Sequence, residues 1–113
     1  MPLAQLIDTA GLTARRSEPN LCILDCRFAL EDADQGRRSY EQSHIPGARF
    51  LDLEKDLSGP VVRGQTGRHP LPQPEHLIAR LRAAGLNNDS EVVLYDDGPG
   101  AFAARAWWLL AWL

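Results

Sequence analysis

Cysteine is scarce in this chain: Cys22 and Cys26 are the two it has among 113 residues. They stand on what reads as a single strand, too stretched for the pair to bridge, so a disulfide scaffold is excluded. Both read as reduced thiols of a cytoplasmic compartment. An excess of positive charge is lacking too. The net charge of −3 offers no support for a nucleic-acid partner or an anionic membrane surface. No apolar run reaches the roughly 20 residues that a bilayer crossing needs. Residues 1–11 have neither the basic start nor the apolar core of a secretory leader. His44, His69 and His76 have no short mutual spacing and no neighbouring cysteine, so no metal site is expected. What remains, 44% hydrophobic and 24% charged, is ordinary globular composition for one domain over residues 1–113.

The most informative stretch is residues 92–113. An apolar run at 92–95 predicts a buried strand. An acidic Gly/Pro turn follows, then a helix with Phe102, Ala106, Leu109, Leu110 and Leu113 at helical spacing. A strand feeding a helix through a short turn gathers backbone N–H groups and a helix N-terminus about one point, where many α/β enzymes hold a nucleophile or an anion. Here Asp96 and Asp97 stand there. Upstream, Leu6 and Ile7 are expected as a short edge strand, and Asp8 as the N-cap of a helix over 9–16. Residues 21–25 read as a central strand. A loop over 28–36, a short polar helix over 37–42 and a strand over 48–51 come next. Residues 52–73 form a long Gly- and Pro-rich loop, of the kind that is functional or mobile in compact domains. A helix starts at Pro74 and closes at Gly85. Strands alternating with helices predict an α/β fold, a parallel sheet with helices on both faces.

Three groups of residues could carry chemistry. Asp25-Cys26-Arg27 could offer a thiolate beside a guanidinium. The weightier reading is a buried cysteine closing a strand, with Asp25 and Arg27 on the opposite face. His69, with Glu54 and Asp56 upstream, could be an imidazole oriented by a carboxylate, and a solvated loop histidine is as good a reading. His44 is expected to bond backbone in its turn, and His76 to be solvated. Asp96 and Asp97 could serve as carboxylate nucleophile or base, but turn and capping roles are favoured. Arg105 could pair with one of these acids or reach a site from the next helical turn.

With these pieces laid out, the chain resembles the N-terminal half of the tandem-domain rhodaneses, the thiosulfate and 3-mercaptopyruvate sulfurtransferases. The resemblance is carried by Ile23-Leu24-Asp25-Cys26-Arg27, by residues 40–48 (YEQSHIPGA), by Phe50-Leu51-Asp52-Leu53-Glu54, by His69-Pro70-Leu71-Pro72, and by residues 93–110 with Tyr95-Asp96 and Ala104-Arg105-Ala106-Trp107-Trp108. It implies a rhodanese-like three-layer domain and transfer of sulfane sulfur from thiosulfate or 3-mercaptopyruvate to cyanide or a thiol. The transfer would run through a persulfide on a cysteine of a second, catalytic rhodanese domain in the same parent chain, with no cofactor. Asp96 falls at the position of that active cysteine, so this half is expected to be catalytically silent. Glu54 and His69 match first-domain positions implicated in the cleft between the domains, Glu54 the more loosely. Arg105 precedes the paired tryptophans and receives no definite role.

The family pattern continues with a further strand and helix, so the chain is expected to be a truncated domain, poorly stable alone. A stand-alone, non-catalytic rhodanese-like binding or regulatory module is the alternative. A phosphatase-like reading fails for want of a cysteine in residues 96–100.

Overall fold

The computed structural model describes residues 6–113; residues 1–5, part of the stretch read above for a leader, lie outside the described residues. Helix α1 (Thr9–Arg15) starts where the Asp8 carboxylate accepts the Gly11 N–H at 2.7 Å, the expected N-cap bond. Leu6 and Ile7 do not form the expected strand. Leu6 is fully exposed, and the Ile7 side chain sits beside Gly11 where the chain enters α1; among the described residues no strand pairs with either of them.

Strand β1 (Leu21–Asp25) leads into helix α2 (Gln35–Gln42), strand β2 (Arg49–Phe50), helix α3 (Pro74–Ala83), strand β3 (Glu91–Tyr95) and helix α4 (Ala101–Trp112). The strands form a parallel sheet in the order β2-β1-β3, with Leu24 opposite Arg49 on one side and Leu94 on the other. The central place of β1 explains its unbroken apolar run, since both of its faces are covered.

Side chains alternate across β1 and set the two layers. Cys22, Leu24 and Cys26 point to the face packed by Leu77 and Leu81 of α3 and Ala106 and Leu109 of α4. Leu21 and Ile23 point to the other, where Leu12 of α1 and Ala48 close a smaller core.

Local signals explain the helix ends. In α3, Pro74 opens the first turn and Glu75 faces the positive end of the helix dipole. Past its end Gly85 takes φ +93°, while Leu86 N–H reaches Leu81 O at 3.0 Å and Gly85 N–H reaches Arg82 O at 2.9 Å, a Schellman closure. Helix α2 begins two residues before the expected position and takes in Gly36, which sequence reading placed in the loop. A Cβ at Gly36 would lie 2.0 Å from Arg27 O, so glycine is there for close backbone approach and not as a helix stop. Among the described residues no helix is long and apolar enough to cross a membrane.

Candidate functional site

The carboxyl ends of β1 and β3 and the start of α4 meet at one end of the sheet, where α/β folds place their sites. Beyond Tyr95 the chain turns through residues 96–100, and Gly100 adopts φ 94° as it enters α4. Gly100 has no side chain with which to cap that helix; Asp96 does so from four residues upstream. Its Oδ1 accepts from Gly98 N–H (3.0 Å) and Gly100 N–H (3.2 Å), and its Oδ2 accepts from Ala103 N–H (2.9 Å). The cup that could bind an external anion is therefore filled by the chain's own carboxylate, in agreement with the capping role favoured from sequence. Asp97 is exposed.

Cys26 is 1% exposed, with its backbone N–H on Tyr95 O at 2.8 Å. Burial, with the charges of Asp25 and Asp96 adding to it, pushes the thiol up to about 12. A group so placed remains a neutral thiol at neutral pH, which supports the reading of Cys26 as core. Cys22 is half-buried, and burial raises its pKa as well. Both cysteines are free.

Asp25, 0% exposed, faces away from Cys26 as alternation requires. It accepts from Arg27 N–H (2.9 Å), from the Arg27 guanidinium (Nη2 at 2.7 Å) and from the Tyr95 hydroxyl (2.8 Å). Arg27 also donates to Ser43 O, and Tyr95 Oη accepts from Ile45 N–H. This buried carboxylate joins β1, β3 and the turn at residues 43–47. His44 bonds backbone as expected, Nδ1 to Tyr40 O at 2.7 Å, with its ring stacked 3.8 Å from that of Tyr40.

The long loop is ordered by its own polar groups. Asp52 Oδ1 accepts from Glu54 N–H and Lys55 N–H, while Asp56 Oδ2 accepts from Asp52 N–H at 2.8 Å. The other Asp56 oxygen faces Arg80 Nε at 3.3 Å, so Asp56 is not the acid beside His69. Glu54 is: its Oε2 lies 3.9 Å from His69 Nε2, longer than a hydrogen bond. The His69 ring meets Phe28 edge-on at 6.2 Å, and Phe28 meets Phe102 at 5.6 Å. These contacts bring His69 to the same end of the sheet as Asp96. His76 departs from expectation: it is not simply solvated, because its Nε2 lies 2.8 Å from Lys55 O and ties α3 to the loop.

Arg105 departs as well. It pairs with neither Asp96 nor Asp97; its guanidinium donates to Leu57 O (2.9 Å), Ser58 Oγ (3.3 Å) and Pro70 O (3.2 Å). One side chain thus clasps both legs of the loop, and burial pulls its pKa below the ordinary value. The signal for this clasp was weak: an arginine on an otherwise apolar helix, opposite a long loop rich in unpaired carbonyls. Among the described residues no group of three or more His, Cys, Asp and Glu side chains is placed to hold a metal ion.

Comparison with known proteins agrees with this geometry. The chain is 66% identical over all of its 113 residues to a probable 3-mercaptopyruvate sulfurtransferase of Pseudomonas aeruginosa. It is 35% identical over 97 residues to the 3-mercaptopyruvate sulfurtransferase of Escherichia coli K12, with 82% of the chain covered. The solved 3-mercaptopyruvate sulfurtransferase of Leishmania major superposes on 93% of the chain with a TM-score of 0.83 at 32% identity. The chain spans 40%, 32% and 28% of the lengths of these three proteins. The profile of the rhodanese-like domain matches residues 8–113, and the chain belongs to that family.

Proposed function

We propose that this chain is the catalytically silent half of a sulfurtransferase. The whole protein would move sulfane sulfur from thiosulfate or 3-mercaptopyruvate to a thiophilic acceptor such as cyanide or a thiol. The reacting cysteine, and the persulfide formed on it, would belong to a second rhodanese domain of the same parent chain. The relatives' names and lengths support this reading, since each is a sulfurtransferase more than twice as long as this chain.

The observation that carries the silence is the Asp96 carboxylate in the turn before α4. Three backbone N–H groups that could stabilise a sulfur anion are already satisfied by it, and its charge repels an incoming anionic donor. Neither cysteine offers a thiolate in its place, because burial raises both pKa values. Glu54 and His69, on the same end of the sheet, would line the cleft between the two halves. Arg105 would hold the loop that presents them. Reduced, unpaired cysteines suit a cytoplasmic protein.

Thiosulfate:cyanide transfer tests the proposal. The 113-residue chain is expected to form no thiocyanate, whereas the chain joined to its second domain is active. Mass spectrometry after incubation with thiosulfate should find no added sulfur atom on either cysteine. Turnover by the isolated chain that is lost in Cys26→Ala would reverse the assignment.

A further inference from the structure

Residues 57–74 contain Arg63, Arg68 and His69 and not one Asp or Glu, in a chain with 15 acidic residues and a net charge of −3. Arg63 and Arg68 are exposed, and among the described residues neither guanidinium has an ion-pair or hydrogen-bond partner. Exposed arginines without an ion pair are found elsewhere too, at Arg16, Arg37, Arg49 and Arg82; what sets Arg63 and Arg68 apart is that the 18 residues around them include no carboxylate. Two unpaired cations on one segment free of acids form a local positive field on a molecule of opposite net charge.

The segment is held in place. Its neck is closed by Gly59 N–H on Pro70 O at 2.9 Å and by the Arg105 clasp across Leu57, Ser58 and Pro70. Its tip is folded by Val62 N–H on Thr66 Oγ1 (3.0 Å) and by Gln65 and Thr66 N–H on Val62 O (2.9 Å each). A loop fixed at neck and tip presents its charges without first having to order them. Arg68 directly precedes His69, whose contacts with Phe28 and Glu54 bring it to the site end of the sheet.

We infer that Arg63 and Arg68 form an anion-recruiting element that draws the sulfur donor, a small sulfur-bearing oxyanion, to the mouth of the cleft. This rests on the proposed sulfurtransferase reading. Thiosulfate is a dianion and 3-mercaptopyruvate a carboxylate, so either gains from positive charge near its path. The field acts within about one Debye length, roughly 10 Å at 0.1 M salt, and its effect is therefore salt-dependent.

The test uses the whole two-domain protein, with thiosulfate and 3-mercaptopyruvate as separate arms. Donor binding is measured by calorimetry, and kcat and KM by turnover, in low and high salt. In Arg63→Gln/Arg68→Gln, Kd and KM for the donor are expected to rise about five-fold at low salt, with kcat unchanged and the difference vanishing at high salt. The Lys/Lys variant should retain the wild-type values, and Glu/Glu should exceed the Gln/Gln effect. A rise in one arm alone assigns the element to that donor. Sulfur transfer with Kd and KM indifferent to all three variants overturns this inference and leaves the proposed function standing. Salt-dependent donor binding that needs the two arginines, without any sulfur transfer, does the reverse. Neither binding nor transfer overturns both.

Discussion

Replacing Asp96 by Ala tests whether the carboxylate is the built-in occupant of the turn before α4. It accepts from Gly98, Gly100 and Ala103, the last being the third residue of the helix. Loss of an N-cap acceptor costs about 1 kcal/mol. Each of the other two bonds to an ionised acceptor adds about 0.5–1 kcal/mol, at the low end because water can reach the loop. The expected destabilisation in urea is therefore about 2–3 kcal/mol. Asp97→Ala, at an exposed neighbouring site, should stay within about 0.5 kcal/mol. If the vacated cup accepts a small anion, 0.5 M acetate should restore part of the loss. For an assumed Kd of about 50 mM the recovery is about 1.4 kcal/mol, specific to the Ala variant. Asp96→Asn, which keeps one acceptor oxygen without the charge, should fall between wild type and Ala. Equal stabilities of the 96 and 97 variants, with no anion effect, would refute the occupancy argument.

Three further outcomes follow from buried groups and close contacts. The folded Cys26 thiol is held up at about 12 against an ordinary 9.0, so its contribution to stability is fully present below pH 9 and is lost as pH rises towards 12. Urea midpoints measured across that window should fall for wild type and fall less steeply for Cys26→Ala, by up to about 1.4 kcal/mol per pH unit. Arg105→Met keeps the aliphatic stem but releases Leu57, Ser58 and Pro70. Losing bonds from a charged donor at about 1.5 kcal/mol or more should speed trypsin cleavage after Arg63 and Arg68 about tenfold, read by mass spectrometry. Gly36→Ala, which sets a Cβ 2.0 Å from Arg27 O, should cost about 3 kcal/mol in urea, whereas Gly98→Ala, facing open space, should cost far less.

Much of the frame was legible because its signals are local. The apolar run of β1, the Asp8 cap, the Pro74 start and the Gly85 stop each act within a few residues, and each fell close to its expected position. The strand-turn-helix over residues 92–113 and the capping role of Asp96 were readable for the same reason. Contacts between segments distant in sequence were not. Nothing near Arg105 announces the carbonyls of residues 57 and 70, and nothing near His76 announces Lys55. Gly36 was read as loop because a glycine in a polar stretch signals a turn, while its reason for being there lies in the backbone of Arg27. Glu54 and His69 were matched by resemblance, and the structure sets them 3.9 Å apart, but Asp56 was equally plausible from spacing until its partner Arg80 was seen.

The Asp25 carboxylate has a consequence for how the chain comes off the ribosome. One of its partners, Arg27, is made two residues later, and the other, Tyr95, seventy later. Until that tyrosine emerges, the middle strand has neither its second neighbour nor the hydroxyl that completes the charge's shell. A nascent segment ending before it keeps this carboxylate in water, because burying it without the hydroxyl and the second neighbour would cost more than it returns. The central strand is therefore expected to settle into its sheet only once residues 91–95 are available, whereas local elements such as α1 need not wait.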